Sequence, residues 1–180
     1  MRLVATEYVS LDGVFEEPGL WSGPWFDEDA ITFKSEELEA ADAQLLGRKT
    51  YEGFAAAWPI MEDAGDFGVK MNMMPKYVVS STLKNPTWTN TTVIAGDVVR
   101  AVRELKQKPG GDLLLAGSGQ LFNALLRENL LDVVRLMVYP VVLGKGPRLF
   151  AGEGAQRNFE LSDVKRFAKG IVVLEYVPAT

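Results

Sequence analysis

Cysteine and histidine are both absent from the 180 residues. Their absence removes disulfides, thiolate nucleophiles, zinc sites of the usual kind and every triad that uses imidazole as its base. Carboxylates, lysine and tyrosine are left as acids and bases. No apolar run approaches the ~18 residues of a membrane span, and the opening MRLVATEYVSLDG lacks the basic-then-apolar layout of a secretion signal. Positive charge is in the minority: 19 Lys and Arg stand against 24 Asp and Glu, a formal charge of −5. Such a chain has no general attraction for nucleic acid or anionic lipid. A cytosolic protein that engages neither membrane nor nucleic acid is expected. Repeats, low-complexity tracts and long linkers are missing too, so residues 1–180 are read as a single domain.

What is present is an alternation of short apolar segments punctuated by glycine and proline. Residues 2–9 are β-branched and apolar without helical spacing, and Ser10-Leu11-Asp12-Gly13 ends them in turn chemistry. Residues 15–24 form a loop with two glycines, two prolines and aromatic anchors. Asp27 stands before an acidic first turn, which predicts a helix over 28–41. A short strand over 43–46 ends at Gly47, and a helix over 48–57 is stopped by Pro59. Strands are predicted at 76–80, 91–95, 112–116 and 133–143, with helices at 97–107 and 120–128. The chain finishes as a hairpin of strands 159–167 and 171–177. The sum is an α/β sheet of about eight strands with some four helices, mostly parallel and antiparallel at its C-terminal edge.

Ligands of such sheets bind beyond the carboxyl ends of the strands, a rim that collects Gly47, Ser80-Ser81, Ala95-Gly96 and Gly117-Ser118-Gly119. In Gly117-Ser118-Gly119-Gln120-Leu121, glycines let the backbone approach a phosphate while the first N–H groups of the next helix point at it. A plain strand-to-helix turn would read the same way. Gly47-Arg48-Lys49-Thr50 adds two cations and a hydroxyl at a helix start, where cations are otherwise mildly unfavourable, and this placement calls for an anion. Ser80-Ser81 could donate hydroxyls to a further phosphate or serve only as turn residues. Together the three turns suggest an extended phosphorylated ligand such as a dinucleotide.

The order of these motifs resembles the dihydrofolate reductase-like superfamily, and within it the branch related to the C-terminal reductase domain of bacterial riboflavin biosynthesis proteins. The resemblance rests on Ser10-Leu11-Asp12-Gly13, Leu46-Gly47-Arg48-Lys49-Thr50-Tyr51-Glu52, Val78-Val79-Ser80-Ser81, Ala116-Gly117-Ser118-Gly119-Gln120-Leu121 and the segment from Pro140 to Phe150. It implies a three-layer α/β/α fold that binds NADPH and delivers hydride to a small heterocycle, of pterin, folate or aminopyrimidine type. By it, Gly47, Arg48, Lys49 and Thr50 hold the coenzyme's phosphates and Ser80 and Ser81 lie near the adenosine. Gly117, Ser118, Gly119, Gln120 and Leu121 cradle the pyrophosphate.

The same resemblance makes Asp12 a substrate-side candidate, beside a reading in which it only caps its own turn. It also makes Asp29 a candidate for the substrate-binding carboxylate of the dihydrofolate reductase helix, although the spacing after Trp25 is about one residue short. The riboflavin-pathway reductases carry Glu just before their paired glycines, and this chain carries Ala116. The reading is therefore an NADPH-dependent reductase; the alternative is a catalytically silent NADP(H)-binding module or sensor on the same fold. Apolar β surface on the C-terminal hairpin suggests a homodimer.

Overall fold

In the computed structural model, which describes residues 1–150 and 155–179, eight strands form one sheet in the order β4-β3-β2-β5-β1-β6-β8-β7. These are β1 (Arg2–Ser10), β2 (Ala41–Gly47), β3 (Lys76–Val79), β4 (Thr91–Ile94), β5 (Asp112–Ala116), β6 (Val133–Tyr139), β7 (Phe159–Arg166) and β8 (Val172–Pro178). The first six of that order are parallel to one another, and β8 and β7 close the edge antiparallel, as the sequence predicts.

Side chains alternate across the strands and sort the core into two layers. Leu3, Ala5 and Val9 of β1 face Val102 and Leu105 of helix α4 (Val98–Gln107) and Leu121, Phe122 and Leu125 of α5 (Gly119–Arg127). Val4 faces the opposite way, toward Leu38 of α1 (Glu28–Ala40), Tyr51 of α2 (Arg48–Ala57) and Met71 of α3 (Gly65–Met73). Helices therefore cover the sheet on both faces, the three-layer arrangement that the resemblance implies.

Three local differences from the sequence reading have physical causes. There are five α-helices among the described residues rather than four. Helix α3 was hidden because Gly65, Gly68 and the polar Lys70 and Asn72 interrupt its apolar spacing, and it buries only Gly68 and Met71. Helix α1 ends at Ala40, and Ala41, fully buried, already pairs with Asp112 of β5. Strand β6 stops at Tyr139 rather than running to residue 143, because the chain after Pro140 is drawn away by other partners: the Val141 carbonyl accepts from Leu11 and the amides of Leu143 and Gly144 bind Asp12.

The least expected core member is Lys76, which has no exposed surface. Its ammonium donates to the carbonyls of Asn72 (2.7 Å), Met74 (2.8 Å) and Thr89 (3.1 Å) and lies 4.3 Å from the centre of the Trp88 ring. Burial lowers its pKa to about 8. All three N–H bonds are thus used to hold the end of α3 against the approach to β4. Lys76→Met keeps the stem but leaves those carbonyls without a donor; it should destabilise the protein by ~3 kcal/mol in urea unfolding. An unchanged midpoint would show that the cage contributes nothing net.

Candidate functional site

The carboxyl ends of the parallel strands lie side by side: Ile94 pairs with Val79, Val79 with Gly47, Leu45 with Leu115, Ala116 with Thr6, and Ser10 with Tyr139. The turns singled out in the sequence therefore share one rim. At its centre two of them interlock. The Gly47 N–H donates to Ser118 Oγ at 2.8 Å, and that hydroxyl donates to Thr50 Oγ1 at 2.9 Å. A Cβ on Gly47 would come within 3.2 Å of the Ser118 side chain, and one on Gly117 within 3.2 Å of Thr50 Oγ1.

Close approach thus explains one glycine and backbone conformation the other, since Gly117 has φ +57° and Ser118 follows at +63°. A left-handed serine costs about 1 kcal/mol, offset here by the two hydrogen bonds of its hydroxyl. The interlock sets the N-termini of α2 and α5 next to each other. Neither has a side-chain cap, whereas Asp27 caps α1 and Asp97 caps α4. The first intrahelical bond of α5 is Phe122 N–H to Ser118, so the amides before it are left for another acceptor. Two adjacent helix N-termini with free amides and a positive dipole end form a seat for a diphosphate.

Around this seat, the Arg48 guanidinium donates to Glu52 (2.6 Å) and to Thr82 Oγ1 (2.6 Å), and Lys49 is exposed, 3.9 Å from Glu16. Thr82 is a neighbour that the sequence reading missed. Ser80 is buried and its hydroxyl accepts from the amides of Thr82 (3.2 Å) and Leu83 (3.0 Å), so it builds the turn that carries the exposed Ser81. Phe15, on the loop after β1, lies across the first turn of α5: a Cβ on Gly119 would collide with its ring. Gln120 is exposed beside it, and Leu121 is buried in the core, leaving only its backbone to the rim.

On the opposite face of β1, Tyr8, Trp21 and Tyr139 form an aromatic wall, with centroids 5.2 Å apart for Tyr8 and Tyr139 and 5.3 Å for Trp21 and Tyr139. Burial raises both phenols far above their ordinary pKa, so they stay protonated. Lys34 donates to Thr6 Oγ1 (3.2 Å) beside Tyr8 and pairs with Glu37. Tyr139 has no exposed surface, so a flat heterocycle would meet the partly exposed Tyr8 and Trp21 there.

The two candidate carboxylates are not brought together. Asp12 accepts from the Ser10 hydroxyl (2.7 Å) and from the amides of Leu143 (3.0 Å) and Gly144 (2.9 Å). These donors hold its pKa at about 2, so it is ionised at neutral pH and clamps the turn after β1 to the segment after β6. Asp29, exposed on the first turn of α1, accepts from the Ala168 amide (3.1 Å) in the β7–β8 turn. A carboxylate with a depressed pKa stabilises the fold above its unfolded value near 3.8 and loses that contribution as the pH falls through 2. The melting temperature of Asp12→Asn should therefore lie below wild type by a constant margin above pH 4, and the margin should shrink as the pH approaches 2. A margin independent of pH would remove the charge from the clamp.

Comparison with known proteins places this geometry. The RibD C-terminal domain family matches residues 2–173. The uncharacterized protein YyaP of Bacillus subtilis (strain 168) is 28% identical over 178 residues, covering 97% of this chain and 94% of its own. A pyrimidine reductase-like protein from Corynebacterium diphtheriae superposes with a TM-score of 0.71 at 13% identity, over 99% of this chain and 92% of that one. Dihydrofolate reductase from Enterococcus faecalis, solved in complex with NADP(H), superposes with a TM-score of 0.63 at 18% identity, over 99% and 97%. Both likenesses are of fold, and they give the three-layer sheet its name as dihydrofolate reductase-like. With the family match running from the first strand into the last, the chain belongs to the RibD C-terminal domain family.

Proposed function

We propose that the protein, acting as one domain, is a cytosolic NADPH-dependent reductase that transfers hydride to a small heterocycle of pterin, folate or aminopyrimidine type. The observation that carries this reading is the pair of uncapped helix N-termini locked together by Ser118. The residues fit a nicotinamide dinucleotide: free amides of the α2 and α5 first turns for the diphosphate, Arg48 and Lys49 for the 2′-phosphate, and Ser81 at the adenosine end. When bound, the coenzyme supplies the hydride. The chain's own residues orient and enclose. Gly117 and Gly119 make room for Thr50 and for the Phe15 ring at the start of α5, Asp12 fixes the turn after β1, and the partly exposed Tyr8 and Trp21 stack against the acceptor ring. Membership of the RibD C-terminal domain family and likeness to a protein solved with NADP(H) support the assignment.

The alternative, a silent NADP(H)-binding module, is favoured by one observation: Asp12 is occupied on both oxygens by the amides that clamp the turn after β1, and Asp29 binds the Ala168 amide in the β7–β8 turn. Consumption of NADPH dependent on any one pterin, flavin or aminopyrimidine in a panel would exclude it. Binding without consumption throughout would favour it.

A homodimer is part of the proposal. On one face of the hairpin Leu161 and Val164 are 53% and 49% exposed, beside the half-buried Tyr176 and Leu174 with which they pair. An apolar strip of this kind fits a second copy of itself.

Two outcomes are expected. Arg48→Ala should weaken NADPH by about 10-fold more than NADH, measured by quenching of tryptophan fluorescence, because a charge-assisted bond to the extra phosphate is worth about 1.5 kcal/mol or more. Equal losses would show that Arg48 does not read that phosphate. Light scattering at micromolar concentration should give twice the 19.8 kDa of the chain, and Val164→Asp should halve it. A monomeric wild type would end the dimer proposal.

A further inference from the structure

One buried charge is left over by everything described above. Glu7 stands in the middle of β1, in a run that is otherwise almost wholly apolar or packed, and only 2% of its surface is exposed. It shares a face with Leu3, Ala5 and Val9, so its side chain projects toward α5 and away from the aromatic wall. Its Oε1 is buried without a hydrogen-bond partner. A carboxyl group kept dry and unsatisfied is expensive, and a strand position of this kind would ordinarily hold valine or isoleucine.

The sheet register says what lies in front of it. Pairing of β1 with β5 ends at Thr6 and Ala116; β5 then turns at Gly117 with positive φ, while β1 continues alongside β6 to Ser10. Glu7 is the first residue of β1 beyond this split. The carboxyl group is near enough to the Gly117 N–H for that amide to act on its ionisation, so it sits beneath the left-handed turn that opens α5. The N-terminus of α5 is thus faced by uncapped amides above and, below, by a carboxyl whose Oε1 has no partner.

We propose that Glu7 is a ligand of the diphosphate seat and binds as the neutral acid, donating its O–H to a phosphate oxygen that the Gly117 and α5 amides also hold. The proposal rests on the coenzyme reading above. An ionised carboxylate in that position would repel the diphosphate; a protonated one adds a donor, and the proton is taken up when the anion arrives. Burial already pushes Glu7 well above the usual carboxylate range, and Glu37 of α1 pushes in the same direction, while Lys34 of α1 and the Gly117 amide pull the other way. Helix α5 carries no titratable residue before Arg127, and β5 none after Asp112. Asp12, Glu16 and Glu17, on the loop that follows β1, and Arg48 and Lys49 of α2 carry the other charges near the rim. Proton uptake linked to this seat is therefore assigned to Glu7.

The test is calorimetric titration of the intact protein and of Glu7→Gln with NADPH, from pH 6 to 9.5 and in two buffers of different ionisation heat. Glutamine keeps the shape and a neutral donor but cannot titrate. The 2′-phosphate titrates equally in both experiments and cancels in their ratio. At pH 6 the two proteins should bind within about threefold of each other. As the pH rises, wild type should weaken at least 10-fold relative to Glu7→Gln and take up as much as one proton more. A ratio that stays flat across the range, with binding intact in both, overturns the role of Glu7 and leaves the coenzyme reading standing. If wild type does not bind NADPH at any pH, the coenzyme reading fails and the role of Glu7 fails with it.

Discussion

The hydroxyl of Ser118 is the point on which the rim depends. By accepting from the Gly47 amide and donating to Thr50 it ties the end of β2 and the start of α2 to the start of α5. Helices α2 and α5 lie on opposite faces of the sheet, and few contacts would otherwise bring their first turns together. The bond also explains the residues around it. Gly47 has no room for a side chain against Ser118, Gly117 must take positive φ and stand against Thr50, and Gly119 must admit the Phe15 ring.

What the chain omits is as informative as what it builds. Helices α1 and α4 are each capped by their own aspartate, which satisfies one orphan amide of the first turn, while α3, away from the seat, has no side-chain cap. At α2 and α5 that cap is withheld, and the first turn of α2 carries Arg48 and Lys49 instead. An uncapped helix end costs on the order of 1 kcal/mol, a cost that the fold accepts twice at one place. The same region holds Glu7, a third local loss of stability. Such losses concentrate where binding, rather than folding, sets the sequence.

The fold was largely legible in the sequence because its signals are local. Glycine turns after short apolar runs marked the strand ends, and Asp27 and Asp97 marked helix starts. Helix α3 escaped because Gly65 and Gly68 erase its period, and the end of β6 escaped because its cause, Asp12, lies 131 residues away in the chain. Of the site, the motifs around Gly47 and Gly117 could be read from turn chemistry alone. Their interlock could not, since it needs the β2–β5 register. Glu7 is a single polar letter in a strand, and it acquires meaning only once the pairing of β1 with β5 is seen to stop at Thr6. Thr82 gave no signal at all, being one more hydroxyl in a polar turn.

The central claim is that the two uncapped helix starts are the seat of a dinucleotide's phosphates. The most direct measurement is the backbone amide spectrum of isotopically labelled protein by nuclear magnetic resonance, recorded as NADPH is added. The account predicts that the amides of Arg48, Lys49, Gly119 and Gln120 shift together along one binding curve, while those of Arg100 and Ala101, in the Asp97-capped first turn of α4, stay in place. Shifts confined to other surfaces, or none at millimolar coenzyme, would contradict it.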